Sequence, residues 1–191
     1  MENTTRRLFI AIPVEDENIL DLLKTYINYL NKFSTILKIV AQENYHITIK
    51  FFGPVDAGKA DILIKGFRAL TGLQKSVFRI EEIGAFPSAS NPSVIWAGIK
   101  YKEAPINEIV RAVEQLASDN GFPSEKRKFS PHLTLARIKR QKKIPGELKK
   151  YIMREHKPFS GSSVFKELVL FESTLKKQGP EYKKIAVLQL V

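Results

Sequence analysis

Two short runs carry the residue types best suited to chemistry, His46-Ile47-Thr48-Ile49 and His132-Leu133-Thr134-Leu135. Each places one aliphatic residue between a histidine and a threonine, within a stretch of β-forming composition. Successive side chains on a strand point to opposite faces, so His46 and Thr48 share one face while Ile47, Ile49 and Phe51 share the other. His132 and Thr134 repeat the pattern, with Leu133 and Leu135 behind them. The chain has three histidines, and two of them stand in this one local frame. His156 lacks the frame and reads as a surface residue. A single His-x-Thr is more often a structural, hydrogen-bonded feature; two matched copies point to paired work.

The chemistry such a pair suggests is acid–base catalysis at a phosphodiester. Imidazole titrates near neutral pH, so one ring can accept a proton while the second, as imidazolium, donates one. Opening a 2′,3′-cyclic phosphate with water requires both acts, one on each side of phosphorus. Thr48 and Thr134, on the faces of their histidines, can hydrogen-bond the non-bridging oxygens. Strict alternation also puts Lys50 and Phe52 on the His46 face, and Ser130 and Ala136 on the His132 face, with Arg137 turned away. Lys50, Phe52 and Ser130 are therefore expected as further substrate contacts, Lys50 as an added cation. No acidic or cysteine residue accompanies either histidine in a metal-ligating pattern, so neither metal nor other cofactor is expected.

The elements that must position these residues follow from periodicity. Arg7 to Pro13 reads as a strand. Ile19, Leu22, Leu23, Tyr26, Ile27 and Leu30 recur at spacings of three and four, giving an amphipathic helix from Glu15 to about Lys32. A short strand over Ile36–Val40 precedes the first motif strand, Tyr45–Phe52, which Gly53-Pro54 closes. Asp56 caps a helix running to about Leu70. Strands over Ser76–Gly84 and Ser93–Tyr101 flank the turn-rich Phe86–Pro92 connection. A helical stripe from Ala104 to Asn120 stops at Gly121. Phe129–Arg137 is the second motif strand, followed by a basic loop, a short helix from Pro145 to about Glu155, and strands over Val164–Leu175 and Lys183–Val191. Each half thus carries a motif strand after a helix. The pattern predicts an α+β fold over 1–191, a single bilobal domain: two pseudo-symmetric lobes, each a mostly antiparallel sheet with outer helices, facing across a central cleft.

Composition narrows the partners. The absence of cysteine removes disulfides, thiolate metal sites and a cysteine nucleophile. Arg6-Arg7 before Leu8–Ile12 superficially resembles a targeting signal, but the apolar run is short and meets Glu15-Asp16-Glu17 at once. No stretch approaches the roughly 20 apolar residues of a membrane span. A soluble, cytoplasmic monomer without membrane association is expected. The net charge is +11, and most of the excess lies between Lys126 and Lys157, where twelve Lys and Arg face only Glu147 and Glu155. A basic stretch around the second motif favours a polyanion, RNA first; a solvated lysine-rich surface is the plainer alternative.

The paired motifs resemble the HxTx signatures of the 2H phosphoesterase superfamily. The surroundings are similar to its RNA 2′,3′-cyclic phosphodiesterase branch, also called 2′-5′ RNA ligase-like proteins. Arg7–Ile12 matches the opening strand, and Glu43–Gly53 matches an N-L-H-x-T-L-x-F-L-G run, with Tyr45, Lys50 and Phe52 where Leu, Arg and Leu are commoner. Gly121-Phe122-Pro123 before Phe129–Arg137, and Gly179-Pro180-x-Tyr182, complete it. The Phe86–Pro92 turn lacks an expected basic residue. The resemblance implies hydrolysis of an RNA 2′,3′-cyclic phosphate end, tRNA-like fragments included, to a 2′-phosphomonoester. His46 would be proton donor, His132 proton acceptor, and Thr48 and Thr134 would hold the phosphate. Reversible 2′-5′ ligation is a lesser implied activity. A non-catalytic single-stranded RNA-binding module, a metal-dependent hydrolase, and an enzyme acting on 2′-5′ oligonucleotides or small cyclic nucleotides are the competing readings.

Overall fold

The computed structural model describes residues 5–139, 143–154, 161–176 and 179–191. Strand β1 (Thr5–Pro13) leads into helix α1 (Glu17–Asn31), then β2 (Leu37–Ile39), β3 (His46–Asp56) and α2 (Ala57–Arg68). The chain continues through β4 (Ser76–Pro87), β5 (Pro92–Tyr101), α3 (Glu103–Asp119), β6 (His132–Ile138) and α4 (Gly146–Met153). It ends in β7 (Ser162–Phe165), β8 (Glu167–Lys176) and β9 (Gly179–Gln189).

Aspartate side chains set two helix starts, Asp56 as expected and Asp16 so that α1 begins two residues later than Glu15. Asp16 caps α1, its Oδ1 accepting from Asn18 N–H at 3.0 Å and Ile19 N–H at 3.3 Å. Asp56 caps α2 through Lys59 N–H at 2.9 Å. Such caps satisfy donors that lack an intrahelical partner. Helix α3 stops where Gly121 adopts φ +70°, and Phe122 N–H returns to the Ala117 carbonyl at 2.9 Å. Ile19, Leu63, Ile109 and Leu148, one from each helix, join Leu8, Ile10, Ile12, Ile47, Leu133 and Leu135 in one buried cluster. All four helices therefore cover the same face of the sheet.

The strands form one antiparallel sheet in the order β7-β4-β5-β6-β3-β1-β8-β9, with β2 added to β6. The two lobes expected from the motif spacing are the halves of this path. They join where β3 meets β6, at Ile47 opposite Leu133. The run read as one strand from Val164 to Leu175 is broken at Lys166. β7 pairs with β4 at one end of the path, and β8 pairs with β1 and β9 near the other. A single linking residue thus brings the two ends together, so the sheet is strongly curled. The break comes from long-range pairing, which hydrophobic alternation does not encode.

Candidate active site

Both motif histidines lie on the sheet face away from the helices, and the same backbone device holds each. His46 Nδ1 lies 2.7 Å from the Asn44 carbonyl, and His132 Nδ1 lies 2.8 Å from the Ser130 carbonyl. A carbonyl only accepts, so each Nδ1 carries its proton and Nε2 is left for chemistry. The Ile47–Leu133 pairing is antiparallel, and its register sets Thr48 across from His132 and Thr134 across from His46. Two histidines and two threonines therefore occupy alternate corners of one quadrilateral at the seam between the halves.

Aromatic rings fix the imidazoles. Phe9 and Tyr182 stand 5.0 and 5.2 Å from the His46 ring, Tyr182 perpendicular to it at 89°, with Phe171 at 6.4 Å. Phe86 lies edge-on to His132 at 4.9 Å, with Trp96 at 6.2 Å. Trp96 lies so close over Gly84 that a Cβ there would come within 2.3 Å of the indole, so the close approach requires glycine. Burial pushes the His46 imidazole below its ordinary 6.5; the Asn44 carbonyl opposes this, and the positive charges of Arg137 and His132 add to it. Burial raises the Tyr182 phenol, against the nearby charges of Arg137 and Arg7.

Strict alternation fails beyond each threonine. Ile10 pairs with Lys50 and Ala11 with Thr48, so Ile49 is an extra residue in β3. Likewise Ile95 pairs with Ala136 and Trp96 with Thr134, leaving Leu135 extra in β6. A bulge of one residue exchanges the faces of everything after it. Lys50 therefore turns to the helix side with Ile10, where it is 7% exposed and donates to Glu114 Oε1 and Oε2, both at 2.8 Å. It also donates to the Pro123 carbonyl at 2.9 Å. Phe52, partly buried on the core, meets Phe122 edge-on at 4.8 Å. The expectation that Lys50 and Phe52 share the His46 face is thus corrected, and so is that of Ala136 on the His132 face. In their place Phe51, 53% exposed, faces the site opposite Phe9, with the Arg7 guanidinium 5.2 Å over its ring.

Arg137, expected to turn away, is brought to the site by the β6 bulge and acts on both His46 and Tyr182. Opposite it on β2 is Lys38, whose Nζ lies where a Gly179 Cβ would be 3.2 Å away. Ser130 contributes its carbonyl to His132, and its side chain is exposed. Sequence reading missed Phe9, Phe86, Trp96 and Phe171, because nothing local marks a strand aromatic as facing a histidine on another strand. Tyr182 had a local signal in Gly179-Pro180-x-Tyr182. Two cavities among the described residues, one between Asp16 and Lys166 and one between Tyr29 and Arg154, include no motif residue.

Paired histidines and threonines at the seam of a curled antiparallel sheet define the two-histidine phosphoesterase class. The chain matches the LigT-like phosphoesterase model over residues 12–96 and 99–182 and belongs to that family. It is 37% identical over 152 residues to a protein of Aeropyrum pernix, covering 78% of this chain and 84% of that one. It is 31% identical over 182 residues to one of Methanocaldococcus jannaschii, covering 94% and 98%. Both relatives carry the name RNA 2′,3′-cyclic phosphodiesterase. The fold is shared with the crystal structure of TT0787 of Thermus thermophilus, at a TM-score of 0.80 and 22% identity over 96% of this chain and 97% of that one. It is shared also with E. coli LigT complexed with 3′-AMP, at 0.72 and 22% over 98% and 99%.

Proposed function

We propose that this protein hydrolyses the 2′,3′-cyclic phosphate end of RNA to a 2′-phosphomonoester by two-histidine acid–base catalysis without a metal. The observation that carries the reading is the crossed pair of His-x-Thr motifs, each imidazole presenting Nε2 beside the other strand's threonine. His132 Nε2 takes a proton from water as its oxygen attacks phosphorus. The bond from phosphorus to the 3′ oxygen breaks, and His46 delivers its Nε2 proton to that oxygen. Thr48 and Thr134 hydroxyls donate to the non-bridging oxygens, and Arg137 offsets the charge that builds there.

Burial favours neutral His46 before substrate binds, with Arg137 and His132 repelling a further proton. A bound phosphodiester anion cancels that repulsion, so the proton His46 must donate is stabilised by the substrate itself. The names of the relatives and the basic segment both support an RNA end over a small nucleotide. Among the described residues no helix is long and apolar enough to cross a membrane; a cytoplasmic location and a monomeric state belong to the proposal.

The test is turnover in excess EDTA of a nucleoside 2′,3′-cyclic phosphate and of a short RNA ending in one, with products resolved as 2′- or 3′-phosphate. A 2′-phosphate product from the wild type, lost in His46→Ala and in His132→Ala, is the expected result. Absence of turnover on both substrates, with RNA still bound, would make the chain a binding module instead.

A further inference from the structure

The loop between α3 and β6 carries Lys126, Arg127 and Lys128 in succession, all exposed. Among the described residues none of the three is ion-paired to a carboxylate. Glu125 is the one acidic residue between Asp119 and Glu147, and its Oε1 accepts from the Arg127 backbone N–H at 3.2 Å. The loop is nevertheless fixed at its root. Lys50 holds the Pro123 carbonyl, and Glu114, the partner of Lys50, accepts from Glu125 N–H at 3.2 Å. Phe122 is packed on Phe52. At its other end the loop runs into Ser130 and His132. Four residues span at most about 14 Å, so the Lys128 backbone lies within that distance of the His132 backbone.

Resting on the reading of the site as acting on RNA ends, we propose that this loop is an RNA-gripping arm. Lys126, Arg127 and Lys128 bind backbone phosphates neighbouring the cyclic end, and Lys50 is the positioning residue that sets the arm. A long flexible loop with three cations would spread its charge over many positions, and ordering it on RNA would cost conformational entropy. Anchoring through a buried ion pair removes part of that cost before substrate arrives. The first motif strand thereby serves the second: its bulge turns Lys50 away from the phosphate and onto the loop that leads to His132.

The experiment compares kcat/KM for a nucleoside 2′,3′-cyclic phosphate and for an octaribonucleotide ending in one, across a series of KCl concentrations. The variant is K126Q/R127Q/K128Q, whose changes are all on the surface. The expected result is a loss of about tenfold in the preference for the octamer, with the mononucleotide rate unchanged. The slope of log kcat/KM against log salt should become shallower by about two, from about 0.7 per single-strand phosphate released. Retention of the wild-type preference and slope, or an equal loss on both substrates, would overturn the arm. If the wild type turns over neither substrate, the phosphodiesterase reading fails rather than the arm. Lys50→Arg should keep the octamer preference and Lys50→Met lose it; equal preferences in the two would remove Lys50 from the proposal. Should Lys50→Met not fold, Glu114→Gln takes its place with the same expected direction.

Discussion

The two motif strands, β3 and β6, share one set of local rules and put different residues through them. Each ties histidine Nδ1 to the carbonyl two residues earlier, and each inserts one extra residue after its threonine. The fourth residue after histidine then faces the helices and the fifth faces the site. In β3 these are Lys50 and Phe51; in β6 they are Ala136, fully buried, and Arg137, exposed. One half therefore contributes a charge to the interior and an aromatic ring to the site face. The other contributes a methyl group to the interior and a guanidinium to the site face. The backbone is close to symmetric, and the electrostatics are not. Arg137 and the tighter aromatic surroundings act on His46, which is why the two imidazoles have distinct environments despite identical hydrogen bonds.

The largest expected effect treats the halves as equals. His46→Ala and His132→Ala should each lower turnover of the cyclic phosphate by about 10²–10⁴-fold. A variant that kept most of the rate would show that one half suffices. The next effect separates the halves. Arg137→Gln should cost about a hundredfold in kcat by removing a cation from the developing charge. The same change should raise the His46 pKa, because a positive neighbour that disfavoured imidazolium is gone. Proton NMR titration of His46 measures this, and an unmoved His46 would mean that the guanidinium charge does not reach the ring.

Stability sharpens the contrast at the interior position. Lys50→Met leaves Glu114 and the Pro123 carbonyl without their partner and should destabilise the fold by about 3 kcal/mol in urea denaturation. Adding Glu114→Met should recover much of that loss, because no charge is then stranded. No such coupling can exist at Ala136.

The smallest effect is a pH dependence of stability. His46 in the folded protein titrates below its ordinary 6.5, so the unfolded chain binds more protons in the interval between the two values. Its contribution to stability is fully present above about 6.5 and is lost as pH falls through the folded value. The slope from this one group is at most about 1.4 kcal/mol per pH unit. His46→Gln should flatten the profile there relative to wild type, and an unchanged profile would show that folding does not lower the His46 pKa.

Much of the molecule was legible because it rests on local physics. The helix from Glu17 to Asn31 follows from its apolar spacing, though its start lies two residues later than Glu15, where the Asp16 side chain reaches two orphan N–H groups. The two His-x-Thr runs were legible because alternation over three residues holds whatever the strand pairs with. Alternation carried two or three residues further failed at Lys50 and Arg137, since a bulge belongs to a pair of strands and not to one. Whether Ile49 is extra depends on where Ile10 and Ala11 bond; whether Leu135 is extra depends on Ile95 and Trp96.

By itself the sequence determined the types and local geometry of the paired histidines and threonines, the family and the excess of positive charge near the second motif. Only the tertiary structure decided that Ile47 meets Leu133, so that each histidine stands beside the other strand's threonine. It also decided which cation stays on the site face, Arg137, and which is buried on the helix side, Lys50. The reason is that hydrogen-bond register between distant strands sets the face of every residue beyond a bulge, and register is a property of the assembled sheet.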